Sequence, residues 1–315
     1  MVKTPVDDIT RALEVLRGAG IRASEKRKLY VIPTDIKVIN DTVFGCGGIP
    51  LGRVIEIFSK EGVGKSSFAY WLIGQVQKGE GNAALFDAEG AYTPEYGAGC
   101  GIDNDRLILP EFTHGEEALD QMKTLIASGT VDLIVADAMP AFQPLINVDQ
   151  VAGERVTMNK NLERAKMFTR FFNDMMGGFK IKPPGKNQPW IKDKEGRTFR
   201  KLYETGICLI FINHSKTSIG VTFGSRTYTP GGDAINFATA IRIEMKHVKK
   251  KQKKSGDTRE LEYRIVRIKA PKNKVAIPFG ETSIKMYPSG RIEPLKEEVD
   301  DEEPEESEEE FEEAE

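Results

Sequence analysis

"IEIFSKEGVGKSS", residues 55–67, decides the fold. An apolar, β-branched run feeds into a glycine-bearing turn and then into helix formers, the strand, loop and helix order of a phosphate-binding loop. Against the pattern G-x-x-x-x-G-K-[ST], Ser59 stands at the first glycine, followed by Lys60, Glu61, Gly62, Val63, Gly64, Lys65, Ser66 and Ser67. Gly62 and Gly64 let backbone N–H groups turn toward phosphate. Lys65 is suited to the β and γ oxygens, and the Ser66 hydroxyl to Mg²⁺. Serine in place of glycine removes only the freedom for positive φ at the loop's entry, so the site is expected to work.

Outward from this stretch, apolar runs alternate with helical patterns. "VIEIF", "AALFD", "LILP", "VDLIVAD" and "CLIFIN" are continuous rather than alternating. They are separated by helices over Lys65 to about Lys78, from Thr113 with Glu116 in capping-box register, and over Leu162 to Met176. Strands of that kind belong to a mostly parallel sheet covered on both faces, which predicts an α/β core. "AIRIEMKHV" and "RELEYRIVRIK" add an antiparallel extension joined by the basic tip "KKKQKKSGDT". Three segments stand apart: an amphipathic helix within 1–30 that suits subunit packing, a Gly-, Pro- and Lys-rich excursion at 177–201, and an acidic tail at 291–315, leaving 31–290 as the core.

Composition sets limits. No run of eighteen apolar residues and no basic-then-apolar start appears, so neither a membrane span nor export is indicated and a cytoplasmic setting is expected. Cys46, Cys100 and Cys208 are scattered and suit a reducing compartment without disulfide or zinc. Residues 297–315 hold 14 carboxylates and no base, leaving 45 Lys and Arg against 34 Asp and Glu before them, a net of +11. A basic body with a tethered polyanion suits an anionic partner such as DNA, with the tail as competitor.

Asp137 closes "DLIVAD" beside the phosphate loop, where it can hold a metal's water shell. Glu89, in "LFDAEGAYTP", is placed to orient an attacking water, with Asp87 as a structural alternative.

Several segments in one order, "GGIPLGRVIEIFSKEGVGKSS", "LFDAEGAYTPEY", "SGTVDLIVAD", "LIFIN", "TPGGDAINFATAIRIE" and "KNKVAIPFG", resemble the RecA family of bacterial and phage-encoded recombinases. The likeness runs from about Val31 to Phe279. It implies a RecA-like P-loop ATPase core that uses ATP and Mg²⁺, with Glu89 activating water, Tyr96 stacking on adenine and Asp137 in the metal shell. Lys272 and Lys274 would reach the γ-phosphate of a neighbouring subunit, and Phe237 would pack into that neighbour. It also implies a DNA loop from His214 to Gly231, with Lys216, Ser218, Ile219, Gly220 and Val221 as contacts. Gly231 and Gly232 open a phosphate-facing helix, and Arg155 and Met158 lie in a first DNA loop.

The chain also departs from the family. His214 stands where a glutamine usually senses the γ-phosphate. Only 41 residues follow Lys274, so the family's compact carboxyl-terminal domain is expected to be missing. The reading that results is a DNA-dependent ATPase that forms helical filaments on single-stranded DNA and pairs it with homologous duplex. Its partners are itself, both DNAs, and proteins of the single-strand-binding or mediator kind. A ring helicase on the same core and a non-catalytic mediator are the alternatives.

Overall fold

The computed structural model describes Glu14 and residues 29–148, 160–177, 202–217, 227–230, 232–255 and 258–295. The expected N-terminal helix, Arg155, Met158, Ser218 to Val221, Gly231, the excursion beyond Gly177 and the tail beyond Leu295 lie outside the described residues.

One nine-stranded sheet organises the chain: β1 (Val54–Ser59), β2 (Ala83–Asp87), β3 (Leu107–Ile108), β4 (Leu133–Asp137), β5 (Cys208–His214), β6 (Ile241–Ser255), β7 (Thr258–Asn273), β8 (Glu281–Met286) and β9 (Ile292–Pro294). Their order is β9-β8-β7-β6-β1-β5-β4-β2-β3. The six strands from β6 to β3 are parallel, and β7, β8 and β9 extend them antiparallel, as the sequence pattern predicts. Every residue of β1 is buried, because helices cover both faces of a parallel sheet.

Helix α1 (Lys65–Lys78) packs on one face with Phe68, Leu72, Ile73 and Val76 fully enclosed. On the other face, α2 (Gly115–Ser128) and α3 (Lys160–Gly177) meet the sheet through Phe142, Phe168, Phe171, Phe172 and Phe211, whose rings contact one another at 5.1–6.1 Å. Helix α4 (Gly232–Ala238) precedes β6. Among the described residues, no helix is long and apolar enough to cross a membrane.

One local expectation is corrected. The cap of α2 is His114, whose side chain accepts from the Glu117 N–H, while the Thr113 N–H and hydroxyl both go to Glu117 at 2.7 and 2.8 Å. Glu116 instead accepts from the Leu145 N–H at 2.8 Å. The register is one residue later than Thr113 and Glu116 imply, because the imidazole fills the capping role of a hydroxyl.

The sheet carries a buried charge at its centre. Glu56 of β1 is fully enclosed and is held by Arg242 Nε at 2.6 Å and by Asn213 Nδ2 at 2.9 Å. Arg242 also stacks over Phe58 at 4.6 Å and donates to Thr229 Oγ1 at 2.9 Å. Removing one partner of such a pair leaves a charge with no solvent and no counterion. Arg242→Leu is therefore expected to cost roughly 3–5 kcal/mol of unfolding free energy. Denaturant titration of the variant checks this, and an unchanged midpoint would refute it.

Candidate functional site

The phosphate loop forms where β1 ends. Gly62 and Gly64 have φ of 73° and 108°, in the region that suits glycine. A Cβ on Gly64 would also sit 2.9 Å from the Met286 methyl. Ser59 is the last residue of β1 and is not in that region: among the described non-glycine residues only Glu80 and Phe279 have positive φ. The missing glycine is therefore not needed here. The Ser59 hydroxyl donates to the Lys60 carbonyl at 2.6 Å, and the Ser59 carbonyl accepts from the Ser215 N–H at 2.9 Å. Helix α1 starts at Gly64 with no side-chain cap, so its first N–H groups and dipole face the loop.

Lys65 is buried and folds back to the Lys60 carbonyl at 3.1 Å. Burial lowers its pKa, against the pull of Asp137, Glu89 and Glu61. Asp137 ends β4 two strands away and is also buried. Burial pushes its pKa up to about 6; the Ser66 and Tyr70 hydroxyls oppose the shift, and Glu89 and Asp87 add to it.

Asp87 pairs with Asp137 in strand register, and the backbone N–H of Tyr92 donates to its Oδ2 at 2.8 Å. Each of these two carboxylates keeps a buried Oδ1 without a hydrogen bond among the described residues. Glu89 lies in the loop beyond β2, with Oε1 3.6 Å from His214 Nε2 at the end of β5. Burial and the nearby Lys65 lower the His214 pKa despite Glu89, so the imidazole is neutral at pH 7 and this is not an ion pair. Tyr96, half-buried, meets the Ser67 hydroxyl at 2.6 Å.

These residues suit a nucleoside triphosphate with a divalent cation. A glycine turn at a helix N-terminus offers amide donors, Lys65 offers a cation, and two bare carboxylate oxygens lack the positive charge they need.

Two expected site residues lie elsewhere in the protomer. Lys272 is opposite Arg242 in register, Arg242 is opposite Glu56, and the Lys274 N–H reaches Ala240, beside Val54. Lys272 is thus level with the middle of β1, roughly 10 Å along the strand from Ser59, and Lys274 with its start, roughly 17 Å away. Lys272 Nζ donates to the Asn236 carbonyl, and Lys274 Nζ to that of Phe237 at 2.8 Å, at the end of α4. Burial and Lys274 lower the Lys272 pKa to about 8. The Phe237 side chain is 82% exposed beside them.

Of the second loop's expected residues, the exposed Lys216 stands at its base, where Lys216–Thr217 pairs with Thr227–Tyr228, and Gly232 opens α4. Sequence reasoning missed Tyr70, the Glu56–Arg242–Asn213 cluster, and Arg264, which donates to the Gly62 carbonyl at 2.7 Å. Only a charge inside the apolar run "VIEIF" hinted at the second.

A phosphate loop on a parallel sheet, with carboxylates from neighbouring strand ends, defines a P-loop nucleotide-hydrolysing core. The family model described as the RecA N-terminal domain matches residues 12–180 and 196–292, breaking within the Lys-rich excursion. Protein RecA of Lactococcus lactis subsp. cremoris (strain MG1363) is 34% identical over 296 residues, covering 88% of this chain and 69% of the relative. Protein RecA of Lactobacillus acidophilus is 34% identical (87% and 68%), and that of Fusobacterium nucleatum 33% (89% and 67%). The chain belongs to the RecA family and is a recombinase of that type.

The raised Asp137 pKa predicts a stability signature. The folded protein binds this proton more tightly than the unfolded chain does, so stability from this group is present at low pH. It is lost as pH rises from about 4 through about 6. Asp137→Asn is expected to stabilise the nucleotide-free protein at pH 7 by on the order of 2–3 kcal/mol. The gain should vanish near pH 4, as read by denaturant unfolding at both values.

Proposed function

We propose that this chain is a DNA-dependent ATPase that assembles on single-stranded DNA into helical filaments and pairs the bound strand with homologous duplex. The observation that carries this is the continuity of two sites. His214, beside Glu89 and Lys65, ends the strand from which the loop to Gly231 departs, and Ser215 is hydrogen-bonded to Ser59. A change at the phosphates is thereby a change at the base of the DNA loop.

The loop from Ser59 to Ser67 and Lys65 would hold the phosphates, Ser66 and Asp137 the cation's shell, and Tyr96 the base. Bound ATP supplies the phosphoanhydride bond that is cleaved, and Mg²⁺ neutralises charge on its oxygens. Glu89 accepts the proton of the attacking water at its carboxylate. His214 has an N–H to donate, so it can report on an anion at the loop. The DNA contacts are Lys216 with Ser218 to Val221, Gly231 and Gly232, and Arg155 and Met158 in the first loop. Backbone phosphates supply most of that affinity, so binding falls steeply with salt and is indifferent to sequence.

Lys272 and Lys274 act on the neighbouring subunit. In one protomer they are satisfied by carbonyls at the end of α4, and their far position from the protomer's own loop suits a site completed in trans. Phe237, exposed between them and solvent, packs into that neighbour. Filament assembly exchanges two carbonyl contacts for a stronger one with phosphate. The reaction takes place in the cytoplasm, with single-strand-binding or mediator proteins as further partners.

Hydrolysis measured with and without single-stranded DNA tests the reading, and a rate indifferent to DNA would overturn it. The double variant Lys272→Ala/Lys274→Ala should lose DNA-stimulated hydrolysis by about a hundredfold or more while binding nucleotide normally. Removing residues 297–315, with their 14 carboxylates, should strengthen duplex binding at moderate salt. Superimposable salt titrations of the two forms would sink the competitor role of the tail.

A further inference from the structure

Tyr70 lies outside the phosphate-loop pattern and is 2% exposed within α1, yet its hydroxyl donates to Asp137 Oδ2 at 3.0 Å. The ring is fixed by packing. Tyr92 meets it edge-on at 5.4 Å with an interplanar angle of 83°, so the direction of the hydroxyl is set by a close-packed interior. Ser66 and Tyr70 are four residues apart on α1 and share one face, and both hydroxyls act on Asp137. The two oxygens of that carboxylate are therefore unlike: Oδ2 is held, and Oδ1 is buried with no hydrogen bond. Asp87 repeats the arrangement, with Oδ2 held by the Tyr92 N–H and Oδ1 bare. A phenylalanine at position 70 would fill the same space and let the Asp137 carboxylate turn.

We propose that Tyr70 is a positioning residue for the divalent cation of the ATP site: by holding Asp137 Oδ2 it reserves Oδ1 for the cation's shell. It sets cation affinity without touching nucleotide. The inference rests on the ATP-site reading above and concerns only how tightly the cation is held. Outer-shell partners of this kind change metal affinity when they are lost, while the groups that meet phosphate stay in place.

The test uses the full-length protein with Tyr70→Phe, and Tyr92→Phe as control. The control removes a hydroxyl that reaches Asn104 rather than Asp137. Hydrolysis with single-stranded DNA is followed against Mg²⁺ concentration, and binding of a fluorescent ADP is measured in Mg²⁺ and in EDTA. In Tyr70→Phe the KM for Mg²⁺ should rise roughly tenfold with kcat at saturating Mg²⁺ nearly unchanged. The Mg²⁺-dependent gain in ADP binding should shrink by a similar factor, with binding in EDTA unaltered. An unchanged KM for Mg²⁺, an equal shift in Tyr92→Phe, or a parallel loss of kcat and of binding in EDTA would overturn the proposal. Wild-type protein that neither binds ADP nor hydrolyses ATP would instead overturn the reading of the site itself.

Discussion

Two carboxylates at paired positions of adjacent strands, each with an oxygen taken out of water and given no hydrogen bond among the described residues, set the constraint around which this chain is arranged. Asp87 and Asp137 reach that state because β2 and β4 are parallel neighbours that end at one level. Parallel strands put all their carboxyl ends on one edge, and helices crossing both faces keep water from the last residues. Burial then raises the Asp137 pKa to about 6, so at neutral pH the fold carries an electrostatic cost that added positive charge relieves. Lys65 supplies one charge, and under the proposed function a cation held with nucleotide would supply more.

The same edge places the proposed nucleotide site beside the base of the proposed DNA loop. Strand β5 lies between β1 and β4, so His214 at its end stands beside the phosphate loop and Glu89. One residue earlier, Asn213 donates to Glu56 at 2.9 Å and to the Pro230 carbonyl at 2.7 Å, and Arg242 joins Glu56 to Thr229. Both ends of the loop from His214 to Gly231 are thereby fastened to buried charge in the sheet. Under the proposed function, a well-fastened base would let a small displacement at His214 be delivered to the loop rather than dissipated.

Away from the phosphate loop, Lys272 and Lys274 close the last turn of α4 beside an exposed Phe237. Two cations and an exposed apolar ring are thereby held together on a helix end, the surface that the proposed subunit contact would use. RecA-family membership and this separation are what the proposal of a site shared between copies rests on.

How much was legible beforehand follows from the range of the forces involved. The phosphate loop, the strand and helix alternation and the antiparallel extension depend on local periodicity and turn chemistry, and these were readable from residues 54–67 and from the apolar runs. The start of α2 was misplaced by one residue because an imidazole can cap as a hydroxyl does. Tyr70 and Arg242 were passed over because nothing near them in the chain marks them; their partners are 67 and 186 residues away.

By itself, then, the sequence determined which segments are strands and helices and that a phosphate loop joins one pair of them, since those are properties of neighbouring residues. Only the tertiary structure decided that Ser59 needs no glycine's freedom, that Asp137 leans on Tyr70, and that Lys272 and Lys274 meet the end of α4. Each of these depends on strand order and register, which long-range packing selects and no short stretch encodes.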